Sequence, residues 1–496
     1  MSIIASRRPA KPGTGSPAKP GTGSAAIHPS AQARFTLALA AGKAAGTASR
    51  ALRAGGGTSF VGKVALRIDP RVLGKVAAAS DAHTVIVTGS NGKTTTCRML
   101  AALAQAGGLT VTQNRSGSNL LQGVVSAAVR GSDLRGRMGA QLFLLEVDEA
   151  TVRRVTPDVP PGTFLITNIF RDQLDRFGEL YSMAKALESV IEALPASATV
   201  VLNADDPLVA SLAPGAPARR VHFGIRAGGA SPLRPEHSAD TIRCVRCQHL
   251  LSYRAVYLSH LGDYECPECG QARPDLDIAV TSVRPSPGSG SEITAQTPAG
   301  TFDLQVPLPG VHNVYNAAAA LASWTALAPP RPLVPAQAQR AMAALRPAFG
   351  RLEEIRAGDR RVVLAFVKNP TAYNATLREV LRRPGRKHVL AAHSNTVVDG
   401  EDFAWLWDVD LEALVPQLAR LVACGTRAEE VALRFKYAGA DPSITQVLPS
   451  RTAALQAALA ATPPGESLYI FAGYTPMREL RGVMQRRGWV APSWKE

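Results

Sequence analysis

The stretch Thr88-Gly89-Ser90-Asn91-Gly92-Lys93-Thr94-Thr95 decides the fold of this 496-residue chain. It follows a short apolar run at residues 84–87 and leads into a helical pattern at residues 94–106. Strand, glycine-rich turn and helix form the unit that binds phosphate in α/β proteins, because glycines let backbone N–H groups approach the anion and the helix presents its positive N-terminus. We expect Lys93 to neutralise the β- and γ-phosphates of a nucleotide and the Thr94 hydroxyl to ligate Mg²⁺.

The loop departs from the general GxxxxGK[ST] pattern, because Val87 stands where the first glycine would be. Gly-Lys-Thr is a common tripeptide, so an incidental turn is the alternative interpretation. The strand before the loop and the helix after it favour a nucleotide site.

Other short apolar runs predict buried strands, with helical stretches such as residues 181–194 between them. The predicted strands are residues 141–147, 163–169 and 199–203, then 361–366, 387–392, 420–424 and 467–472. This alternation predicts doubly wound parallel sheets in two α/β domains. The first is expected at residues 35–348, with an insertion at residues 240–275, and the second at residues 349–496. Residues 1–34 are expected to be a disordered tail, because a Pro-, Gly- and Ser-rich repeat fills residues 10–24.

The composition is that of a globular protein, since 46% of the residues are hydrophobic and 19% are charged. Lysine and arginine total 55 against 39 acidic residues, a formal net charge of +16. This excess favours anionic partners such as nucleotides, nucleic acids or a membrane surface. Arginines scattered over solvated faces are the simpler explanation, because no run of five basic residues occurs. No apolar stretch long enough to span a membrane and no secretory signal are found, so we expect a cytoplasmic protein.

Four of the six cysteines form two CxxC pairs, Cys244 with Cys247 and Cys266 with Cys269, with eighteen residues between the pairs. Each pair turns two sulfurs to one side, and two pairs close a tetrahedron around Zn²⁺. Four protein ligands fill the coordination sphere, so we predict a structural zinc ribbon. The alternatives are four unrelated thiols, or a ribbon that binds nucleic acid through nearby arginines such as Arg246.

The phosphate loop and the motifs behind it resemble those of the Mur ligase and folylpolyglutamate synthase superfamily. The matching segments, in family order, are Leu145-Glu146-Val147-Asp148-Glu149-Ala150, Thr167-Asn168-Ile169 with Asp172-Gln173-Leu174-Asp175-Arg176-Phe177-Gly178, Asn203-Ala204-Asp205-Asp206-Pro207, Gly310-Val311-His312-Asn313-Val314-Tyr315-Asn316-Ala317-Ala318 and Gly350-Arg351-Leu352-Glu353. The resemblance implies a Mur ligase-type central P-loop ATPase domain with the zinc ribbon inserted, followed by a Rossmann-like α/β C-terminal domain.

The chain departs from the superfamily pattern at two places. Gln173 stands where the family has a metal-binding histidine, and Phe366-Val367-Lys368-Asn369-Pro370 replaces Asp-x-x-His-Asn-Pro. Lys185 falls near the position where Mur ligases carry a carbamylated lysine.

The resemblance further implies a site for ATP and Mg²⁺. The residues expected to bind the nucleotide are Gly89, Asn91, Gly92, Lys93, Thr94, Thr95, Asn313, Asn316 and Arg351. Thr94 and Glu146 would hold Mg²⁺, and Lys93 with that metal would stabilise the γ-phosphoryl group during its transfer. Lys93 and Glu146 are therefore the expected catalytic residues of the ATPase centre.

A narrower resemblance, to the MurT subfamily, rests on the inserted ribbon and on the C-terminal segments. These segments are His393-Ser394-Asn395, Asp399-Gly400-Glu401-Asp402-Phe403-Ala404-Trp405-Leu406-Trp407-Asp408-Val409-Asp410, Cys424-Gly425-Thr426-Arg427 and Gly473-Tyr474-Thr475-Pro476-Met477. We also expect no UDP-binding domain of the kind that other Mur ligases place before the phosphate loop.

The MurT resemblance implies ATP-dependent amidation of the D-glutamate α-carboxyl in the lipid II stem peptide, through an acyl phosphate, during peptidoglycan synthesis. Ammonia would come from a GatD-like glutamine amidotransferase subunit in a heterodimer, at the inner face of the cytoplasmic membrane. Asp408, or as second choice Asp410, would complete the Cys–His pair of that subunit as the third triad member. Neither Cys97 nor Cys424 has the sequence context of a glutaminase nucleophile, so the nitrogen source is expected to be external.

Two alternatives stay open. A ligase that adds an amino acid, such as a folylpolyglutamate synthase, would share the ATP motifs, and the ribbon and the Trp405-Leu406-Trp407-Asp408 segment argue against it. A nucleic-acid-binding zinc ATPase would fit the positive charge, and RNA-stimulated ATP hydrolysis would support it.

Overall fold

The structure, a computed structural model, describes residues 29–51, 59–114, 117–171, 180–226, 235–236, 238–286, 290–327, 332–346, 350–396 and 399–490. Residues 1–28 of the predicted tail lie outside this set, whereas residues 29–34 form the first turns of a helix, Pro29–Ala51. Within the described residues, no helix combines the length and the apolar character needed to cross a membrane.

Seventeen strands and fourteen α-helices occur in the described part of the chain. The strands are β1 (His83–Thr88), β2 (Val111–Gln113), β3 (Leu142–Glu146), β4 (Thr163–Ile166), β5 (Thr199–Asn203), β6 (Arg219–Ile225), β7 (Ser252–Leu258), β8 (Leu261–Glu265), β9 (Ile278–Ser286), β10 (Gly290–Thr297), β11 (Gly300–Val306), β12 (Arg351–Ala357), β13 (Arg360–Phe366), β14 (Lys387–Ala392), β15 (Leu418–Cys424), β16 (Thr445–Val447) and β17 (Ser467–Ala472). The helices are α1 (Pro29–Ala51), α2 (Phe60–Ile68), α3 (Val72–Ala78), α4 (Lys93–Ala106), α5 (Leu121–Gly131), α6 (Val152–Val155), α7 (Leu180–Glu192), α8 (Pro207–Ala210), α9 (Val311–Ala326), α10 (Pro335–Ala343), α11 (Pro370–Leu381), α12 (Ala428–Tyr437), α13 (Arg451–Ala461) and α14 (Tyr474–Arg486).

Nine strands form the first sheet, in the order β11-β10-β9-β6-β5-β4-β1-β3-β2. Neighbours from β9 to β2 are parallel, and β10 and β11 extend the edge as an antiparallel meander. Side chains of a strand alternate between the two faces, so Val85 and Val87 pack with α4 and α9, whereas Ile86 packs with α1, α2 and α5. The strand order changes direction at β1, which places the phosphate loop at the switch point where α/β sheets bind ligands.

Six strands form the second sheet, in the order β12-β13-β17-β14-β15-β16. All neighbouring pairs are parallel except the β12–β13 hairpin. Helices α11 and α12 cover one face, and α13 and α14 cover the other. We call the part of the chain from β12 onward the C-terminal domain.

The predicted α/β class is confirmed, and strands β5, β14 and β17 have the predicted bounds. Strands β9, β10 and β11 were not predicted from apolar runs. Buried and exposed residues alternate in much of β10 and in β11, and polar residues fill most of the second half of β9. In β11, for example, Phe302 and Leu304 are buried whereas Asp303 between them is exposed. Such alternation is typical of antiparallel strands with one solvated face.

Candidate active site at the domain cleft

The phosphate loop, residues 89–92, has a left-handed backbone at both glycines, with φ of 121° at Gly89 and 90° at Gly92. A Cβ atom at Gly89 would lie 2.3 Å from Thr167 Oγ1, and one at Gly92 would lie 2.1 Å from Asn316 Oδ1. Positive φ already disfavours a side chain, and these distances are far below van der Waals contact. Both glycines are therefore required by their surroundings.

The segment after β4 supplies the hydrogen bonds that hold the loop. Ser90 N–H donates to Asn168 O and Asn91 N–H donates to Asn168 Oδ1, both at 2.9 Å. Ser90 Oγ donates to Phe170 O at 3.0 Å and accepts from Phe170 N–H at 2.9 Å. Thr167 Oγ1 donates to Asn91 O at 2.8 Å. The Thr167-Asn168 motif thus shapes the loop from a neighbouring strand.

Four side chains form a charged and polar cluster beside the loop. Lys93 Nζ lies 2.9 Å from Glu149 Oε2, and Thr94 Oγ1 donates to Glu146 Oε1 at 2.9 Å. Asn114 fixes the backbone of Glu146, because it accepts the Glu146 N–H at 2.9 Å and donates to the Glu146 carbonyl at 2.8 Å. A hydroxyl and a carboxylate at this spacing offer two oxygen ligands of the kind that Mg²⁺ prefers.

Burial shapes the ionisation of the groups in this cluster. It raises the pKa of Glu146, while the charge of Lys93 and the hydrogen bond from Thr94 act in the opposite direction. It also lowers the pKa of Arg351 of the C-terminal domain, against the opposing influence of the Glu146 charge. A cation bound beside Glu146 would favour the ionised carboxylate, since an opposite charge stabilises it.

A cleft opens between the loop, helix α9 and the C-terminal domain. Asn91, Gly92, Thr95, Asn313, Asn316 and Arg351 are among the residues that line it. A chain of hydrogen bonds orients the two α9 amides: Thr96 Oγ1 donates to Asn316 Oδ1 at 3.2 Å, and Asn316 Nδ2 donates to Asn313 Oδ1 at 3.0 Å. Fixed polar groups of the loop and of α9 therefore face this cleft.

His312 also lines this cleft. Its Nε2 lies 3.1 Å from Asn313 Nδ2, which can only donate, so Nε2 accepts and the proton is assigned to Nδ1. Burial, with the nearby positive charges of Arg351 and Arg378, lowers the pKa of His312 to about 4. Nδ1 is buried and has no hydrogen-bond partner in the described part of the chain. The neutral ring therefore offers one free donor to an acceptor atom in the cleft.

The segment Phe366-Val367-Lys368-Asn369-Pro370, which departs from the superfamily pattern, reaches the phosphate loop. Asn369 Nδ2 donates to Asn91 Oδ1 at 3.3 Å. Asn369 Oδ1 accepts from Ala372 N–H at 2.9 Å and caps α11. One asparagine thus fixes the start of a C-terminal helix and contacts the loop.

The four ribbon cysteines converge at the end of the β7–β8 hairpin. Their Sγ atoms all lie within 4.8 Å of one another, with 3.5 Å between Cys244 and Cys269 and 3.4 Å between Cys247 and Cys266. A tetrahedral site with Zn–S bonds of about 2.3 Å needs sulfurs about 3.8 Å apart. The donor set and its spacing therefore fit a metal ion.

Asp205, from the Asn203–Pro207 motif, anchors the ribbon to the first sheet. Its carboxylate lies 2.9 Å from Arg273 Nη1 and accepts from Tyr315 OH at 2.7 Å and from Ile225 N–H at 2.8 Å. Burial raises the pKa of Asp205 to about 6, although Arg273 and the hydrogen bonds oppose the shift. Three hydrogen-bond donors around a buried carboxylate are typical of a structural joint.

The two C-terminal carboxylates singled out from the sequence have different surroundings. Asp408 ends a 3₁₀ turn, Ala404–Asp408, and its side chain is 36% exposed and lies 3.3 Å from Arg171 Nη2. Asp410 is tied to α11, because its Oδ2 accepts from Asn374 Nδ2 at 3.0 Å and its N–H donates to Asn374 Oδ1 at 2.9 Å.

The structure thus places six of the predicted residues around one cleft: Asn91, Gly92, Thr95, Asn313, Asn316 and Arg351. Gly89, Lys93 and Thr94 belong to the same loop and helix start, and Thr94 holds Glu146 beside them, but these four residues do not line the cleft. Asp408 and the cysteines do not line it either. Gln173 lies outside the described residues, and Lys185 is exposed on α7. Glu149, His312 and Asn369 were not predicted as site residues. Glu149 and His312 stand in motifs that resemble the superfamily, and Asn369 stands in the segment that departs from it.

Comparisons with known proteins place both parts of the chain. Residues 87–252 match the family described as Mur ligase middle domain, and residues 366–477 match MurT ligase C-terminal. The chain is 31% identical over 443 residues to the MurT subunit of lipid II isoglutaminyl synthase (glutamine-hydrolyzing) of Streptococcus pneumoniae, covering 88% of this chain and 94% of that protein.

Solved structures share the fold at low sequence identity. A pseudomurein peptide ligase type C from Methanothermus fervidus superposes with a TM-score of 0.63 at 20% identity, covering 82% of this chain and 79% of that one. Folylpolyglutamate synthase from Mycobacterium tuberculosis, complexed with ADP and AMPPCP, gives a TM-score of 0.60 at 17% identity, covering 85% and 93% of the two chains.

We predict that Gly92→Ala weakens ATP binding about 5- to 150-fold, because a left-handed backbone with a clash against Asn316 costs on the order of 1–3 kcal/mol. Gly108→Ala is the matched control, since Gly108 has a φ of 87° but open space around its Cβ position. Titration calorimetry with ATP measures both. Equal losses in the two variants would mean that backbone strain alone, and not the contact with Asn316, limits the loop.

We predict that the purified chain contains one bound metal ion and that Cys247→Ser abolishes it, because a tetrahedral site needs all four sulfurs. Cys424→Ser should retain the ion, since Cys424 is buried in β15 of the C-terminal domain. Elemental analysis of the purified variants gives the metal content. Retention of the ion in Cys247→Ser would exclude the tetrathiolate site.

Proposed function

The chain belongs to the MurT family of Mur ligases, and on that premise we propose that it uses ATP to amidate a carboxyl group of lipid II. The carboxyl group is the α-carboxyl of D-glutamate in the stem peptide, and the ammonia comes from a separate GatD-like glutaminase subunit. One observation carries the proposal: a phosphate loop with Lys93, Thr94 and Glu146 faces a cleft closed by a C-terminal domain of the MurT type.

The reaction divides into two transfers. A carboxylate oxygen of the substrate attacks the γ-phosphorus of ATP, and ADP leaves, which gives an acyl phosphate. The nitrogen of ammonia then attacks the acyl carbon, inorganic phosphate leaves, and the nitrogen loses a proton, which gives the amide. The first transfer needs charge neutralisation and in-line positioning, and the second needs a site from which water is excluded.

The residues beside the loop suit the first transfer. Lys93 carries the positive charge that the β- and γ-phosphates require, and the N–H groups at the start of α4 add their own partial charge. Mg²⁺, when bound by Thr94 and Glu146, would neutralise phosphate oxygens. Glu149, which lies 2.9 Å from Lys93 Nζ, holds that ammonium at the loop.

Residues of the C-terminal domain suit water exclusion. Arg351 lines the cleft, where its charge acts on Glu146, and Asn369 contacts Asn91 of the loop. These contacts keep the two halves of the cleft together, so an acyl phosphate formed between them would be shielded from hydrolysis.

The two thiols outside the ribbon are poor nucleophiles, which supports an external ammonia source. Burial raises the pKa of Cys97 well above its usual range, and it raises the pKa of Cys424 to about 12. Since the thiolate is the nucleophile, neither residue suits glutamine hydrolysis at neutral pH. Asp408, by contrast, is exposed enough for the histidine of a partner's Cys–His pair to reach it.

The ribbon and the net charge complete the proposal. The four cysteines hold a structural Zn²⁺, because all four coordination positions are taken by protein thiolates. The formal charge of +16 suits a lipid substrate that carries a pyrophosphate at the inner, anionic face of the membrane.

We predict that Glu146→Gln lowers ATP turnover on lipid II with ammonium chloride on the order of 100-fold. Glutamine can still accept the Thr94 hydrogen bond, so the loss reports the missing charge at the metal. Glu192→Gln, at the exposed end of α7, is the matched control. Phosphate release, measured across a Mg²⁺ titration, should show the defect at every concentration. Wild-type turnover in Glu146→Gln would remove this carboxylate from the mechanism.

We predict that Asp408→Asn lowers glutamine-dependent amidation on the order of 10²–10⁴-fold, because asparagine cannot stabilise the partner's imidazolium. Amidation with ammonium chloride should stay within about threefold, since it bypasses the glutaminase. Asp402→Asn, in the same segment, is the control, and Asp410→Asn tests the second candidate. Mass spectrometry of the lipid II product, with each nitrogen source, separates the outcomes. Amidation that needs an amino acid instead of ammonia would favour the folylpolyglutamate synthase-like alternative.

A further inference from the structure

Arg171 joins three separate parts of the molecule. It follows β4 in the first sheet, and its backbone N–H donates to Asp240 Oδ2 at 2.9 Å. Its guanidinium forms an ion pair with the same carboxylate through Nε. The other end of the guanidinium, Nη2, lies 3.3 Å from Asp408 Oδ2 of the C-terminal domain. One side chain thus connects the first sheet, the start of the ribbon insertion and the C-terminal domain.

Asp240 is the most buried of these three charged residues. Its side chain is 3% exposed, whereas those of Arg171 and Asp408 are 39% and 36% exposed. Its N–H donates to Nδ1 of the fully buried His260, in the turn between β7 and β8. The β7–β8 hairpin of the ribbon therefore holds Asp240 in place, and Asp240 holds the guanidinium of Arg171 in place.

Phe170, the residue before Arg171, connects the phosphate loop to the ribbon hairpin. The backbone of Phe170 exchanges two hydrogen bonds with the Ser90 hydroxyl of the loop. The Phe170 ring packs against His260 with 4.8 Å between centroids. Because Arg171 is the next residue, its backbone position depends on both the loop and the ribbon.

We propose that Arg171 is a positioning residue for Asp408 and that it ties the glutaminase carboxylate to the phosphate loop and the ribbon. The proposal rests on the proposed function, in which Asp408 completes the triad of the glutaminase subunit. Arg171 holds Oδ2 of Asp408 on the side of the first sheet and turns the carboxylate so that its second oxygen faces the approaching histidine. Glutamine hydrolysis then depends on the placement of groups in the ATP-binding half.

The energetics separate this role from a simple structural one. The Arg171–Asp408 ion pair joins groups that are more than a third exposed, so this pair contributes at most about 1 kcal/mol to folding. Orientation is more sensitive, because a misplacement of about 1 Å in a catalytic group can cost about 100-fold in rate. Arg171 also compensates the buried Asp240, so its removal should lower the stability of the chain as well, and a loss of rate confined to glutamine hydrolysis is what identifies positioning.

The experiment uses the complex of the full chain with the glutaminase subunit that co-purifies with it. Arg171→Ala should lower kcat for glutamine hydrolysis about 10- to 100-fold, with KM for glutamine changed less than about threefold, because the partner binds glutamine. Arg171→Lys should recover part of the rate, since it keeps the charge but loses the planar fork. Amidation with ammonium chloride should stay close to that of the wild type. The melting temperature of Arg171→Ala should fall, because the buried Asp240 loses its cation, whereas Arg171→Lys should keep it close to the wild-type value.

Two further variants give the comparison its controls. Arg427→Ala breaks a similarly exposed ion pair, with Glu430, and should leave glutamine hydrolysis unchanged. In the Asp408→Asn background, Arg171→Ala should add no further loss, because residues that act through each other are not additive. A full additional loss in that background, or an equal loss with ammonium chloride, would overturn the role of Arg171.

The same variants distinguish failure of the positioning role from failure of the proposed function. If Asp408→Asn alone leaves glutamine hydrolysis intact, the triad assignment fails, and the role of Arg171 fails with it. If Asp408→Asn abolishes hydrolysis but Arg171→Ala has no effect, only the positioning role fails. Weakened binding between the two subunits in Arg171→Ala, measured by titration, would show docking in place of positioning and would also overturn the proposal.

Discussion

Buried backbone groups need hydrogen-bond partners, and residues 89–92 lie in a turn between β1 and α4, outside both elements. The segment after β4 provides the partners through Asn168 and the Ser90–Phe170 exchange. The loop consequently keeps a shape that an isolated glycine-rich turn would not keep, because the chain entropy of such a turn is large. These hydrogen bonds also set the positions of Lys93 and Thr94, since α4 begins directly after Gly92, the last residue of the loop. The backbone position of Arg171 also depends on these hydrogen bonds, because Arg171 directly follows Phe170.

The C-terminal domain supplies the side of the cleft that the first sheet does not. A phosphate loop and a metal-binding carboxylate can activate a carboxyl group, but an acyl phosphate survives only where water is kept out. Arg351 and Asn369 come from the C-terminal domain and meet Glu146 and Asn91 at the cleft. The charge of Arg351 acts on Glu146 across the cleft, so a cation of one domain offsets part of the cost of burying the carboxylate of the other.

The parts of this structure that sequence could predict are those governed by local rules. Strands β5 and β14 were predicted correctly because they are buried on both faces and read as apolar runs. The cysteine site was predicted because the spacing of metal ligands is local. The antiparallel meander β9–β11 was not predicted, since the alternation of buried and exposed residues in β10 and β11 and the polar second half of β9 resemble a loop of mixed polarity. The contact of Arg171 with Asp408 could not be predicted, because partly exposed charges far apart in the chain leave no periodic pattern. His312 stood inside a quoted motif, yet its free Nδ1 donor depends on burial and on Asn313, which only coordinates reveal.

In the proposed function, Asp408 supplies a carboxylate to the active site of the partner subunit. Such a carboxylate is solvated before the two subunits associate and desolvated afterwards. Desolvation of a lone carboxylate costs several kcal/mol, whereas a carboxylate that already has a cationic partner keeps part of its compensation. Asp408 has that partner in Arg171, and Arg171 is in turn compensated by the buried Asp240. Two carboxylates share one guanidinium, so the cluster carries one net negative charge. Protonation of the partner's histidine during glutamine hydrolysis would bring one positive charge to it. The cluster is thus neutral in the state in which the imidazolium forms, and this is the state that a triad carboxylate must stabilise.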